Sequence, residues 1–177
     1  MKNIFYPVLA VLILIGSAFS FVAGQNWQIA EGYSIAFSSN DASGIFKGFK
    51  GNILFDEQNP AGSKFDVTVD AASINTGNGL QNKHAKSDEW FDVAKYPQIK
   101  FTSQKFVKAG SGYQVTGNLE VHGVTKAVTI PFTFAKTAKG GQFTGSFTVN
   151  RNDFKLGKPG GDVGEEIKIE LSVPVTK

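Results

Sequence analysis

From about residue 34 to the C-terminus, apolar and polar residues alternate with period two, and this alternation confines the chain to β-structure. Phe65, Val67, Val69 and Ala71 share one parity, with Asp66, Thr68 and Asp70 on the other. Tyr113, Val115, Leu119 and Val121 stand in the same way against Gln114, Thr116, Asn118 and Glu120. Val128, Ile130, Phe132 and Phe134 repeat the pattern, as do Phe143, Phe147 and Val149, and then Ile167, Ile169, Leu171, Val173 and Val175. Side chains of a strand point alternately to opposite faces, so each run buries one face and wets the other. A short first strand is expected at Ser34–Ser38, after a start at Asn26–Ile29, and a long one over Ile45–Asp56 with bends at Gly48 and Gly51. Turn chemistry separates the runs at 41–44, 59–62, 110–112 and 139–141.

About eight such strands with no helical layer to cover a sheet predict an antiparallel barrel or a sandwich. The barrel is preferred. Glycines fall within strands at Gly117 and Gly145, where small inward residues leave room, and a barrel of about eight strands is wide enough to hold one small ligand. Sixteen phenylalanines and twenty glycines fit the same picture, since Phe lines or fills a large apolar space and Gly permits a strongly curved sheet.

One stretch breaks the alternation. Gly79 to Phe101, GLQNKHAKSDEWFDVAKYPQIKF, sets Lys83, His84, Lys86, Asp88, Glu89 and Asp92 around Trp90, Phe91 and Tyr96. A short helix is expected within Leu80–Trp90. A charged, aromatic-rich interruption of an all-β pattern is where a binding mouth or lid is expected.

Residues 1–24 read as a secretory signal, with Lys2, an apolar stretch from Val8 to Ile15, and small residues at Val22-Ala23-Gly24 for cleavage there or nearby. The apolar run of about ten residues is short for a membrane span, which needs about 20; an uncleaved N-terminal anchor is the alternative. Absence of cysteine removes a lipobox, a disulfide framework and a thiolate metal site. The net charge of +3 is too small to argue for nucleic acid.

Candidate functional residues each carry a structural alternative. His84 either donates a hydrogen bond to a ligand head group at the barrel mouth or ties its own segment to the barrel. His122 reads as fixing a strand end beside Gly123. Two histidines far apart in sequence argue against a metal. Arg151 and Asp153 share parity, as a cation with its orienting carboxylate at the mouth or as an ion pair closing the barrel end. The run from Lys155 to Asp162 is Gly-rich and basic, but it precedes a strand rather than a helix and reads as a mobile surface loop. Among the aromatics, Trp90, Phe91, Phe101, Phe132 and Phe147 are candidates for ligand contact, although Phe is ordinarily core and alternation does not sort lining from filling.

Seven segments, in order, carry a family resemblance: DAASINTG from Asp70, HAKS from His84, WFDVAKYPQIKF from Trp90, GNL from Gly117, HGVTK from His122, RNDF from Arg151 and VGEEI from Val163. Across essentially the whole chain after residue 24, the sequence resembles the YceI-like, lipocalin-like polyisoprenoid-binding proteins of bacteria. The resemblance implies an elongated eight-stranded antiparallel β-barrel over residues 25–177, with the helical or loop insertion around residues 79–96 and an amphiphilic isoprenoid in its bore. It also implies export to the periplasm or beyond. Members commonly carry Arg-Asp before the His-Leu of the central segment, where this chain has Gln81 and Asn82, with Ala85 in place of the Leu. Loss of that cation points to an uncharged isoprenoid, such as a quinone, rather than a pyrophosphate.

The expected function is therefore a non-enzymatic carrier or sequestering protein for an isoprenoid lipid or quinone, without cofactor, metal or nucleic acid. Transient membrane contact and a homodimer are further expectations. The rival readings are an enzyme acting on such a lipid through His84 with Asp88 or Glu89, and a stress-related interaction protein whose barrel is simply filled.

Overall fold

Alternating residues became strands almost throughout the computed structural model, which describes residues 24–177; the expected signal segment lies, Gly24 apart, outside the described residues. The strands are β1 (Gln25–Ile29), β2 (Ser34–Ser38), β3 (Ser43–Phe55), β4 (Lys64–Asn75), β5 (Gln98–Ala109), β6 (Gly112–Val121), β7 (Val124–Thr137), β8 (Gly140–Asn150) and β9 (Glu166–Thr176). A single α-helix among the described residues, α1 (Gly79–Ala85), lies between β4 and β5. It is shorter than the stretch expected to hold it.

Nine strand segments make eight staves. Both β1 and β2 pair antiparallel with β3 on one side and β9 on the other, so they are two halves of one strand, broken between Ile29 and Ser34 where Gly32 takes φ +87°. The residues around Trp27, expected only as a lead-in, are thus paired. From there each strand pairs with the next in sequence, and the contact of β9 with β1 and β2 closes the ring. The result is a closed, up-and-down antiparallel barrel. Gly48 and Gly51 bend β3 as expected, at φ +67° and +138°, and the β3–β4 register shifts between Ile45 and Lys50.

The two ends of the barrel differ. At one end, turns of two residues join β5 to β6 and β7 to β8, and the inward side chains fill the bore. Phe55 is buried there, with ring centroids of Tyr113, Phe134, Phe143 and Phe132 at 5.0, 5.3, 5.4 and 5.5 Å. Edge-on and tilted pairs at such distances are the favoured aromatic geometry. Trp27 packs on Phe134 and donates its indole N–H to the Phe55 carbonyl at 3.2 Å. Phe106 closes on Phe65 at 4.8 Å. Gly117 corrects an expectation: it leaves no spare room, because the Phe101 ring lies over it, 2.6 Å from where a Cβ would stand. Gly145 borders the cavity, but a Cβ there would stand 2.9 Å from the Pro131 carbonyl oxygen, so it too marks a close backbone approach.

At the opposite end lie α1, the β2–β3 turn, the β6–β7 hairpin and the segment between β8 and β9. His122 and Gly123 form that hairpin with φ of 51° and 72°, the left-handed pair demanded by a two-residue turn whose twist matches its strands. The Tyr96 ring covers them, 5.0 Å from the His122 ring.

Candidate functional site

Above the aromatic plug the bore opens into a cavity of about 660 Å³. Its floor is Phe65, Phe132 and Phe143, its wall includes Phe46, Val69, Phe101, Phe147 and Ile169, and its mouth is rimmed by Leu80, Gln81, His84, Trp90 and Arg151. The wall is hydrocarbon nearly throughout, and the polar groups gather at the rim. A deep apolar chamber with polar groups at one end suits an amphiphile. The filled interior considered as an alternative is present only at the closed end.

Helix α1 owes its position to asparagines. Asn78 caps it, its side-chain oxygen accepting from Leu80 N at 2.9 Å and Gln81 N at 3.1 Å; such a cap satisfies amides left unpaired in the first turn. Asn82 binds back, its oxygen accepting from the N–H and hydroxyl of Thr76 at 2.8 and 2.9 Å. Gln81, beside it, stays at the cavity mouth. Leu80 is 78% exposed at the same rim.

His84 and Trp90 are joined. The Trp90 indole N–H donates to His84 Nε2 at 2.8 Å, which requires an imidazole unprotonated at that nitrogen. Glu89, rather than Asp88, is the nearby carboxylate, 3.8 Å from His84 Nε2 and 3.8 Å from Lys158 Nζ. Phe91 turns inward onto Phe46, with ring centroids 5.6 Å apart.

Arg151 is 1% exposed, and all its donors are spent on the protein. Nε reaches the carbonyls of Val163 and Gly164 at 3.2 and 3.3 Å; Nη1 donates to Leu156 O at 2.7 Å and to Asn152 Oδ1 at 3.1 Å; Nη2 donates to Val163 O at 2.9 Å and Lys158 O at 3.0 Å. These six contacts use the five N–H bonds of a guanidinium. The Trp90 ring lies against it, 5.4 Å from Cζ, a favourable cation–π arrangement. Asp153 is exposed, lies off the cavity, and among the described residues forms no ion pair with Arg151. The shared parity suggested that pair; it fails because Arg151–Phe154 is a 3-10 turn rather than strand.

The Lys155–Asp162 run lies at the surface as composition suggested, exposed except at Leu156 and Gly157, but it is tethered. Arg151 gathers its carbonyls, Leu156 buries its side chain at the cavity mouth, and Gly157 N–H donates to Glu89 O at 2.9 Å. The Glu165 carboxyl at its far end is held below its usual range by the Asn152 amide, the Gly160 N–H and the Arg151 charge. A buckle of Trp90, Glu89, Arg151 and Gly157 therefore joins the insertion to this segment across the mouth.

The structure brings His84, Trp90, Phe91, Phe101, Phe132, Phe147 and Arg151 to one cavity and leaves Asp153 outside. Sequence reasoning did not single out Gln81 as a mouth residue in its own right, nor Leu80, Phe154 and Leu156. The signals available were Leu80 and Leu156, isolated leucines in otherwise polar segments.

Comparison with known proteins agrees with this architecture. The profile of the YceI-like domain matches residues 24–175. A UPF0312 protein of Yersinia enterocolitica is 37% identical over 138 residues, covering 73% of this chain and 71% of its own. The crystal structure of Burkholderia cenocepacia BcnA superposes with a TM-score of 0.78 at 28% identity, over 82% of this chain and 96% of that one. A Saccharophagus degradans domain, described as polyisoprenoid-binding and implicated in plant cell wall breakdown, superposes with a TM-score of 0.58 over 88% of this chain and 95% of its own. At 13% identity, that last likeness is one of fold.

Proposed function

Because this chain belongs to the YceI-like family, we propose that it is an exported binding protein that holds an isoprenoid lipid or quinone, tail inward, for transport, storage or sequestration. The observation that carries the reading is the 660 Å³ apolar chamber with its polar groups confined to one rim. The same reading takes residues 1–24 as a cleaved signal and places the protein in the periplasm or outside the cell.

The energetics favour a hydrocarbon guest. Burying roughly 400 Å² of tail yields about 10 kcal/mol gross at about 25 cal/mol per Å², and immobilising the flexible chain offsets a sizeable part. Affinity then comes from the wall and selection from the rim. An uncharged head group is preferred on two grounds. Gln81 offers an amide at the mouth, and the buried guanidinium of Arg151 would have to release backbone carbonyls before it could grip a phosphate.

Mass spectrometry of the organic extract of protein purified without detergent tests the proposal. A prenyl alcohol, prenyl phenol or isoprenoid quinone in near-stoichiometric amount is the expected result. An empty extract, together with no uptake of added isoprenoid, would overturn it. Conversion of an added isoprenoid to product, abolished by His84→Ala, would replace the carrier with the enzyme.

A further inference from the structure

The chamber is blind, and its depth has a consequence for its guest. Its lining includes Phe65, Phe132 and Phe143 but none of Trp27, Phe55, Phe106, Tyr113 or Phe134. The second group forms the plug immediately beneath the first, with Phe55 against Phe132 and Phe143 at 5.5 and 5.4 Å and Phe106 against Phe65 at 4.8 Å. The plug is built into the backbone as well as the side chains. Gly141 lies directly against the Phe134 ring, where a Cβ would collide, and Trp27 is anchored to the backbone of β3.

We propose that this aromatic floor is a ruler: it admits an isoprenoid tail of roughly four units and turns any longer remainder back toward the mouth. The inference rests on the carrier reading and adds to it the length of the guest and the residues that set it. From the floor at Phe143 to Val149, two residues below Arg151 at the rim, six residue steps on β8 rise about 20 Å along the strand at about 3.4 Å each, or about 16 Å along the axis at a tilt of about 40°. That depth suits three to four extended isoprene units.

Phe132 and Phe143 are the specificity-determining residues in this scheme, since both are floor tiles resting on the plug. Each shares its inward parity with residues higher up the wall, so shortening either side chain deepens the chamber without opening its sides.

The test is displacement of a fluorescent farnesyl probe from delipidated protein by prenyl alcohols of two, three, four, six and nine units. Affinity is expected to rise at least about tenfold per unit up to four, as each added unit is buried, and then to change less than about threefold. In Phe143→Ala and Phe132→Ala, each of which removes the six ring carbons against the five of an isoprene unit, the break moves outward by about one unit; a purely structural role would lower affinity equally at every length. Affinity that climbs steadily through six and nine units in the wild type would overturn the ruler while leaving the carrier intact. Failure of every alcohol to displace the probe, with no lipid in the extract, would overturn both.

Discussion

The two ends of the barrel are built from the same alternating strands, yet one is solid and the other hollow. At the closed end, rings meet rings and tight turns close the hairpins. At the open end, the interior is an apolar cavity, and order comes from polar contacts within and between two excursions of the chain. On the carrier reading, stability and binding are thus separated along the axis of a single sheet. One end can be rebuilt while the other keeps the barrel closed.

That division is tested most severely at Phe55. Phe55→Ala removes a buried ring from the centre of the plug and is expected to cost about 3–5 kcal/mol, read as a lower denaturation midpoint with little change in slope. A loss under about 1 kcal/mol would show that the plug is not the stabilising end. Arg151→Met comes next. It strips the donors from the Leu156, Lys158 and Val163 carbonyls, at about 1–3 kcal/mol for each group left buried and unpaired, less whatever water recovers. Hydrogen exchange should rise across residues 151–165 and at Trp90 while β6 amides keep their protection. Arg151→Lys should behave similarly, because an ammonium cannot reproduce the fork. Loosening that spreads evenly to the closed end would erase the distinction drawn here.

Phe147→Trp acts on the hollow end in the opposite sense, by filling it. Lipid affinity should fall at least tenfold while stability shifts by less than about 1.5 kcal/mol. Unchanged affinity would mean that the guest does not lie along this wall. The smallest effect concerns the buckle at the mouth. His84→Ala removes the acceptor of the Trp90 indole N–H and leaves the buckle to Arg151 and Gly157. A single exposed hydrogen bond of this kind is worth about 1 kcal/mol, so Trp90 emission should shift and ligand dissociation quicken a few-fold. His84→Gln, which keeps an acceptor at that position, should show neither change.

The inward parity of β4 and β6–β9 was legible residue by residue, because burial on one face leaves period two in the chain. The family resemblance supplied the closure that alternation alone shares with a sandwich. What stayed hidden has physical reasons. Phe132 and Phe147 look alike in sequence, and only the register between strands makes one a floor and the other a wall. The split first stave was missed because the residues between Ile29 and Ser34 interrupt its pattern. Arg151 was read beside Asp153 because charges are visible in a sequence, whereas its actual partners are mostly backbone carbonyls, which every residue carries and no residue type announces. The tethering of the Lys155–Asp162 surface segment was missed for the same reason.

The ring is completed by β9 pairing with β1 and β2, so that Ser34 lies opposite Ser172. A chain that emerges from its amino end must therefore keep an unfinished sheet, raw along both margins, until β9 (Glu166–Thr176) arrives. Such margins invite pairing with other chains, and contacts between distant parts of a sequence form slowly. Removing β9 should consequently do more than shorten the barrel: it should yield a species that sticks to itself, whereas adding the missing strand as a separate peptide offers a direct way to shut it.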